Sequence, residues 1–331
     1  MNKIRIGIVG YGNLGRGAEL AVQQNDDMEL CAVFTRRPAE SVQLVDNTIP
    51  VVHMDDVLDW KSKIDVMLLC GGSATDLPVQ APQLAKDFNI VDSYDTHAKI
   101  SQHFDNVDSA ARAGGTLGVI SVGWDPGMFS LHRIYSEAVL PKGETYTFWG
   151  RGVSQGHSDA VRRIEGVKGA VQYTIPLESA IERARAGDGQ NLTTRDKHFR
   201  DCYVVLEEGA DAEKVRESIV SMPNYFADYD TEVTFVTEEV LSKNHSKMPH
   251  GGFVIRNGGT GLGGNQQLME YSLTLDSNPE FTANVLVCYA RAAYRLSKEG
   301  VVGAKTCLDI APGLLSPRSA EELRQDSAGI L

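Results

Sequence analysis

An α/β fold, with a doubly wound parallel sheet joined to a second α+β unit, is predicted by three observations along this 331-residue chain. The first is an apolar strand, Ile6-Gly7-Ile8-Val9, that runs into Gly10-Tyr11-Gly12-Asn13-Leu14-Gly15, a G-x-G-x-x-G turn opening an amphipathic helix. The second is a series of apolar runs at 28–34, 64–70, 89–92 and 117–121, separated by helical patterns, as expected of strands buried on both faces of a parallel sheet. The third is a change of character near Thr145, where the strands TYTFWG (145–150), CYVVLE (202–207) and TEVTFV (231–236) alternate with helices near 177–186 and 211–220. The expected division is a Rossmann-type dinucleotide-binding domain over 1–124 and a substrate domain over 125–278. The segment from about 279 to 331 is expected to return to the first domain.

Taken in order, the first glycines allow a tight turn and let the backbone approach a pyrophosphate, which then sits on the free N–H groups of the helix beginning near Asn13. The second strand, Met28 to Phe34, ends in Thr35-Arg36-Arg37, where an NAD site usually carries an acid for the ribose 2′-hydroxyl. A hydroxyl and two guanidiniums suit a 2′-phosphate dianion instead, so the cofactor expected is NADP. A short strand is expected at 50–53. The run at 64–70 ends in Cys70-Gly71-Gly72-Ser73, before a helix over 76–87. Strand 89–92 delivers Ser93-Tyr94-Asp95, helix 97–113 follows, and strand 117–121 delivers Ser121-Val122-Gly123-Trp124-Asp125 to the same edge. Ligands of doubly wound sheets bind at the carboxyl ends of the strands, so these loops are expected along the cofactor. In the second unit, Gly156-His157-Ser158, Met248 to Gly252 and Gly258 to Gly264 read as loops. A long helix is expected over Phe281 to Lys298, entered through Asn278-Pro279, and Leu308 to Leu315 is a last apolar segment.

Composition excludes several classes. With 32 Lys and Arg against 44 Asp and Glu, a net charge of −12 opposes binding to nucleic acid or anionic membranes. Five scattered cysteines without C-x-x-C spacing read as reduced core thiols of a cytoplasmic protein. The start, MNKIRIGIVG, enters the first strand directly, so no signal segment is expected, and no apolar run reaches the roughly 18 residues of a membrane span. Neither H-E-x-x-H nor a dense His/Cys grouping points to a metal, and no G-x-S-x-G points to a nucleophile elbow.

Two carboxylates carry the candidate chemistry. Asp125 precedes Pro126, which reads either as a helix N-cap or, at a strand's carboxyl end, as a catalytic acid. Asp95 reads either as an Asx-turn residue or as its partner in holding a cationic substrate and taking its proton. On pattern alone, Arg200 beside Asp201 reads as a surface ion pair, His250 as a solvated loop residue, Asn278 as an N-cap and Trp149 as core.

The segments IVGYGNLGRG (8–17), FTRRP (34–38), CGGSATD (70–76), VDSYDTH (91–97), VGWDPGMFS (122–130), FWGRGVSQGHSDAVRRI (148–164), MPHGG (248–252) and LDSNPEFTA (275–283) together resemble the meso-diaminopimelate dehydrogenase family over almost the whole chain. The resemblance implies a homodimeric enzyme of lysine and cell-wall precursor synthesis. Such an enzyme deaminates meso-2,6-diaminopimelate oxidatively at its D-centre with NADP. It further implies that Tyr11 to Leu14 hold the pyrophosphate, Thr35 to Arg37 the 2′-phosphate, and Cys70 to Ser73 with Ser93 to Asp95 the sugar and nicotinamide. Val122 to Trp124 would close that end of the cofactor site. Asp95 and Asp125 would meet the D-centre amine, while Arg200, Thr174 and His250 clamp a carboxylate, and Trp149, Ser154, Gly156 and Asn278 line the L-centre end.

Overall fold

The structure, a computed structural model, describes residues 3–262 and 264–326, so the last part of the expected C-terminal return, 327–331, lies outside the described residues. Contacts divide the chain into a unit made of residues up to Leu131 together with those from Pro279, and a unit from His132 to Asn278.

The first unit is built on β1 (Ile4–Val9), β2 (Met28–Thr35), β3 (Val51–His53), β4 (Val66–Leu69), β5 (Asn89–Asp92) and β6 (Leu117–Val119). A seventh strand, Gly303–Lys305, comes from the returning chain and lies beside β6. From that edge the order continues β6, β5, β4, β1, β2, β3, and every pairing is parallel. The chain winds one way from β1 to β3 and the other way from β4 onward, which places the topological switch point at the ends of β1 and β4.

Alternation along the strands builds two cores. Val66 and Leu68 face the cluster that holds Ala18, Leu286 and Ala290, whereas Met67 and Leu69 face Leu77, Ala81 and Ala111. Helices Asn13–Gln23 and Asn278–Lys298 thus cover one face, and Leu77–Leu84 with Ile100–Gly114 the other. The long helix is fixed by Arg291, which is only 1% exposed. Its guanidinium donates to both oxygens of Asp27 (2.6 and 2.8 Å), to the Asn25 side-chain oxygen (2.7 Å) and to the Leu315 carbonyl (2.8 Å). The turn before β2, the long helix and the C-terminal segment therefore share one cation.

The second unit contains β7 (Gly143–Trp149), β8 (Gly152–Val153), β9 (Val167–Pro176), β10 (His198–Leu206), β11 (Asp230–Phe235), β12 (His250–Thr260) and β13 (Asn265–Leu275). They form two sheets, β11-β10-β9-β8 and β13-β12-β7, antiparallel except for the pair β10 and β11. Val204, Ile219 and Phe226 fill the core of the first sheet, and Phe148, Ile181 and Ile255 that of the second.

Several expectations are corrected. Residues 156–158 are helical, not looped, because Ser154 caps the helix Gln155–Arg162 by accepting from the His157 N–H. His250 opens β12 instead of lying in a loop, and Gly258 to Thr260 remain in that strand, paired with Asn265 to Gln267. Strand pairing supplies what these glycines lack in intrinsic preference. Trp149 is not core: in the two-residue period of β7, Phe148 points inward at 0% exposure and Trp149 outward at 37%. The helix Met128–Val139 starts three residues beyond Asp125, after a turn in which the Gly123 and Trp124 carbonyls accept from the Met128 and Phe129 N–H groups.

Replacing Asp27 by Ala would strand the buried Arg291 guanidinium, and a loss of about 3 kcal/mol is expected, the cost of breaking a buried pair. Urea unfolding of this variant checks it, and a midpoint unchanged from the parent would show the pair to be energetically neutral.

Candidate functional site

At the switch point the first unit forms an anion cradle. Helix Asn13–Gln23 has Gly12 as its N-cap, with no side-chain capping bond and no acid in its first turn. With neither a capping side chain nor an acid there, the positive end of the helix dipole favours an anion. Gly10 adopts φ +88°, and a Cβ on Gly15 would collide with the Gly10 carbonyl, so both positions require glycine. Gly10, Tyr11 and Gly12 line a cavity of about 310 Å³ together with Thr35, Arg36 and Arg37 from the end of β2 and Cys70, Gly71 and Gly72 from the end of β4.

The cradle is held from outside by groups that the sequence reading passed over. Fully buried Glu19 accepts from the Tyr11 hydroxyl and from the backbone N–H groups of Val45 (3.1 Å) and Asp46 (2.6 Å). Burial and this carboxylate push the Tyr11 hydroxyl up to about 12. Arg37 donates to the Tyr11 carbonyl at 2.9 Å, and its own N–H donates to Thr35 Oγ1 at 3.0 Å. Asp76 binds Arg36 at 2.7 Å and accepts from the Gly72 N–H at 2.9 Å, which couples the end of β2 to the loop after β4. Cys70 is pushed up to about 12 by burial alone, so it is a neutral wall and not a nucleophile.

Ser73, Ser93, Tyr94 and Asp95 follow β4 and β5, and Ser121 to Asp125 follow β6. Ser73 Oγ donates to Asp95 Oδ1 at 2.5 Å and accepts from the Asp95 N–H at 2.9 Å, so Asp95 is tied to the glycine loop. Asp95 is exposed and Asp125 half-buried.

In the second unit the paired strands bring Arg200 opposite Thr174 and Thr174 opposite Gly152, and His250 packs against Gly152. Arg200 is not at the surface: it is 5% exposed, and its neighbour Asp201 instead faces Arg151 at 3.8 Å. Its guanidinium donates to Thr174 Oγ1 and lies 3.8 Å from the centre of the Tyr229 ring. The buried Nε has no partner, and among the described residues no carboxylate pairs with this cation. A desolvated guanidinium in this state is an acceptor site for an anion. Burial lowers its pKa.

Two histidines frame it. His198, two residues earlier on the same face of β10, accepts from the Trp149 N–H at 2.9 Å and stacks on the Trp149 ring. Burial and then the Arg200 charge depress it to about 3. His157 lies 2.7 Å from Ser154 Oγ against Tyr225 and Phe226, and burial followed by Arg200 depresses it to about 4. Ser154 is thereby oriented, and Gly156 in the same helix has open space where a Cβ would stand. Asn278 is the first residue of the long helix, its N–H bonded to the Met248 carbonyl at 2.9 Å. His198, His157 and Tyr229 were assigned no role from the sequence, because their contacts with Trp149, Phe226 and Arg200 join residues far apart in the chain. Among the described residues no cluster of His, Cys, Asp and Glu forms a metal site, and no helix is long and apolar enough to cross a membrane.

A phosphate cradle at the switch point of a doubly wound sheet, with carboxylates on the adjoining loops, defines a nicotinamide-dependent oxidoreductase of the Rossmann class. Residues 123–277 match the diaminopimelic acid dehydrogenase C-terminal domain family. The chain is 62% identical over 326 residues to the meso-diaminopimelate D-dehydrogenase of Ureibacillus thermosphaericus, covering 98% of this chain and 99% of that one. It superposes on C. glutamicum DAP dehydrogenase in complex with DAP with a TM-score of 0.92 at 46% identity, covering 99% and 100% of the two chains. An engineered D-amino acid dehydrogenase bound to NADP+ superposes with a TM-score of 0.86 at 44% identity, over 98% and 100%. The chain belongs to the meso-diaminopimelate D-dehydrogenase family.

Both depressed histidines are neutral in the folded protein and would protonate near 6.5 when unfolded. The unfolded chain therefore binds more protons in acid, and stability present above pH 6.5 is lost as pH falls toward 4. Each imidazole contributes up to about 1.4 kcal/mol per pH unit to that slope. Replacing His198 with Gln, which keeps an acceptor for the Trp149 N–H, should flatten it. Urea midpoints measured across this range check the sign, and an unchanged slope would show His198 to be protonated in the fold.

Proposed function

We propose that the protein catalyses the reversible, NADP-dependent oxidative deamination of meso-2,6-diaminopimelate at its D-centre, giving L-2-amino-6-oxopimelate, ammonia and NADPH. The observation that carries this reading is the buried Arg200, stacked on Tyr229 beside Thr174 with no internal counter-ion, a receptor for a substrate carboxylate. His250 packs beside that clamp, and the exposed ring of Trp149, the oriented Ser154 hydroxyl, open Gly156 and Asn278 supply groups for the remaining amino-acid end. A meso compound carries the same groups at both ends. Only unlike surroundings for the two ends make a single binding direction productive.

The cradle fits NADP. The uncapped helix start and Gly10 to Leu14 would hold the pyrophosphate, and Thr35, Arg36 and Arg37 the 2′-phosphate. Ser73, Ser93 to Asp95 and Ser121 to Asp125 would meet the sugar and nicotinamide. When bound, the cofactor supplies the hydride acceptor for the D-centre carbon. The substrate ammonium must lose a proton before that carbon can release hydride, and Asp95 and Asp125 would hold the ammonium and take the proton. Water then adds to the imine carbon, and loss of ammonia leaves the 2-oxo acid. Overall, one hydride leaves with the nicotinamide, one oxygen enters from water, and one ammonium and one proton are released.

We further infer a homodimer. The second unit exposes Ile134 and Tyr135 on the helix Met128–Val139, at 51% and 65%. Leu268 lies on the long edge strand β13 at 49%. His132 stacks on Tyr271 at 3.6 Å, so the helix flanks one face of β13, and Leu268 is exposed on the strand's other face. An edge strand of 11 residues with such a face is covered in stable proteins, and a second copy is the partner the family resemblance implies.

Two measurements test these readings. Offered meso-, L,L- or D,D-diaminopimelate, the enzyme should reduce NADP with the meso isomer alone and use NAD poorly, followed by nicotinamide absorbance. Silence with the meso isomer despite NADPH binding would discard the substrate assignment. Light scattering should give two chains per particle, and one chain would remove the dimer.

A further inference from the structure

Asp95 and Asp125 lie on two separate strand-end loops, and the structure shows what joins them. Asp92, the last residue of β5, is the one acid in the strand NIVD and is 0% exposed. Its Oδ1 accepts from the Tyr94 N–H at 3.0 Å and from the Ser121 N–H at 2.9 Å, and its carbonyl accepts from the Val122 N–H at 3.0 Å. His103, on the helix Ile100–Gly114 and 3% exposed, donates from Nε2 to Oδ2 at 2.8 Å. The Tyr94 ring stacks on His103 at 4.2 Å, which closes the group. Ser121 is held at φ +55°, a conformation non-glycine residues avoid, by the bond from its N–H to Asp92.

One carboxylate thus satisfies donors from both loops, at Tyr94 one residue before Asp95 and at Ser121 four residues before Asp125. An apolar residue here would leave the Tyr94 and Ser121 N–H groups buried without acceptors, so both loops depend on this one side chain. An acid that receives both loops fixes their relative position, and Ser73 extends the link by tying Asp95 to the loop after β4.

We propose that Asp92, braced by His103, is a positioning residue that sets the two strand-end loops against each other and thereby places Asp95 and Asp125 for reaction. It touches neither substrate nor cofactor. The proposal rests on the dehydrogenase reading above for what that placement serves, because a displacement of about 1 Å in reacting groups costs up to about 100-fold in rate.

The test compares His103→Ala, His103→Gln and Asp92→Asn, with rates counted per NADPH-binding site so that unfolded protein does not enter. His103→Ala and Asp92→Asn should lower kcat for meso-diaminopimelate by about 10- to 100-fold, with KM and the NADPH Kd moving by less than about threefold. His103→Gln, whose amide N–H can reach Asp92 Oδ2, should recover kcat to within about threefold of the parent. In crystals of His103→Ala, Ser121 should leave its positive φ and the bond from Ser73 to Asp95 should break. Rates per site equal to the parent in His103→Ala, with only a lowered melting temperature, would overturn the proposal, as would crystals in which both loops keep their places. If Asp92→Asn does not fold, the His103 pair decides. Should the parent protein not turn over meso-diaminopimelate, the functional reading fails on its own, and the loop geometry in the His103→Ala crystals still supports or overturns the positioning role.

Discussion

The parallel register of β1, β4, β5 and β6 is the constraint on which the cofactor half of the molecule depends. Parallel strands all release their chains at the same edge, so four loops arrive side by side with backbone donors that the sheet no longer pairs. Those donors need acceptors. The start of the helix Asn13–Gln23 carries no side-chain cap and no acid, whereas the loops after β5 and β6 turn N–H groups inward onto Asp92. One edge thus contains both an uncapped helix start and a closed, satisfied carboxylate.

Buried charge is used differently in the two units. Glu19, Asp92 and Arg291 in the first unit have their hydrogen-bonding capacity taken up by the protein itself. Arg200 in the second unit has Thr174 and an aromatic face but no carboxylate. Desolvation penalises every one of these ions, and only Arg200 is left with a deficit that a ligand can fill. The neighbouring histidines remain neutral for the same reason: a second positive charge beside an unpaired guanidinium in an apolar setting is disfavoured.

The glycine turn, the helix behind it and the arginines after β2 were legible because each depends on residues adjacent in the chain. Trp149 and Arg200 were misread from local pattern for one shared reason. Whether a strand residue faces core, solvent or ligand depends on which strand lies opposite, and β10 begins at His198, four residues before its apolar run becomes visible at Cys202. Ser154, placed on the L-centre end only by the family resemblance, proved to be a helix cap held by His157.

By itself the sequence determined the doubly wound class of the first sheet, the glycine turn at its switch point and the arginines that follow β2, since a 3.6- or two-residue period and a glycine's freedom act over a few neighbours. Only the tertiary structure decided which polar residues are buried and against what. Asp92 meets His103 and Ser121, Glu19 meets the segment at Val45 and Asp46, and Arg200 meets Tyr229, each across a separation that no local pattern encodes. Desolvation depends on the atoms that surround a group in space, and those are settled only when the sheets close.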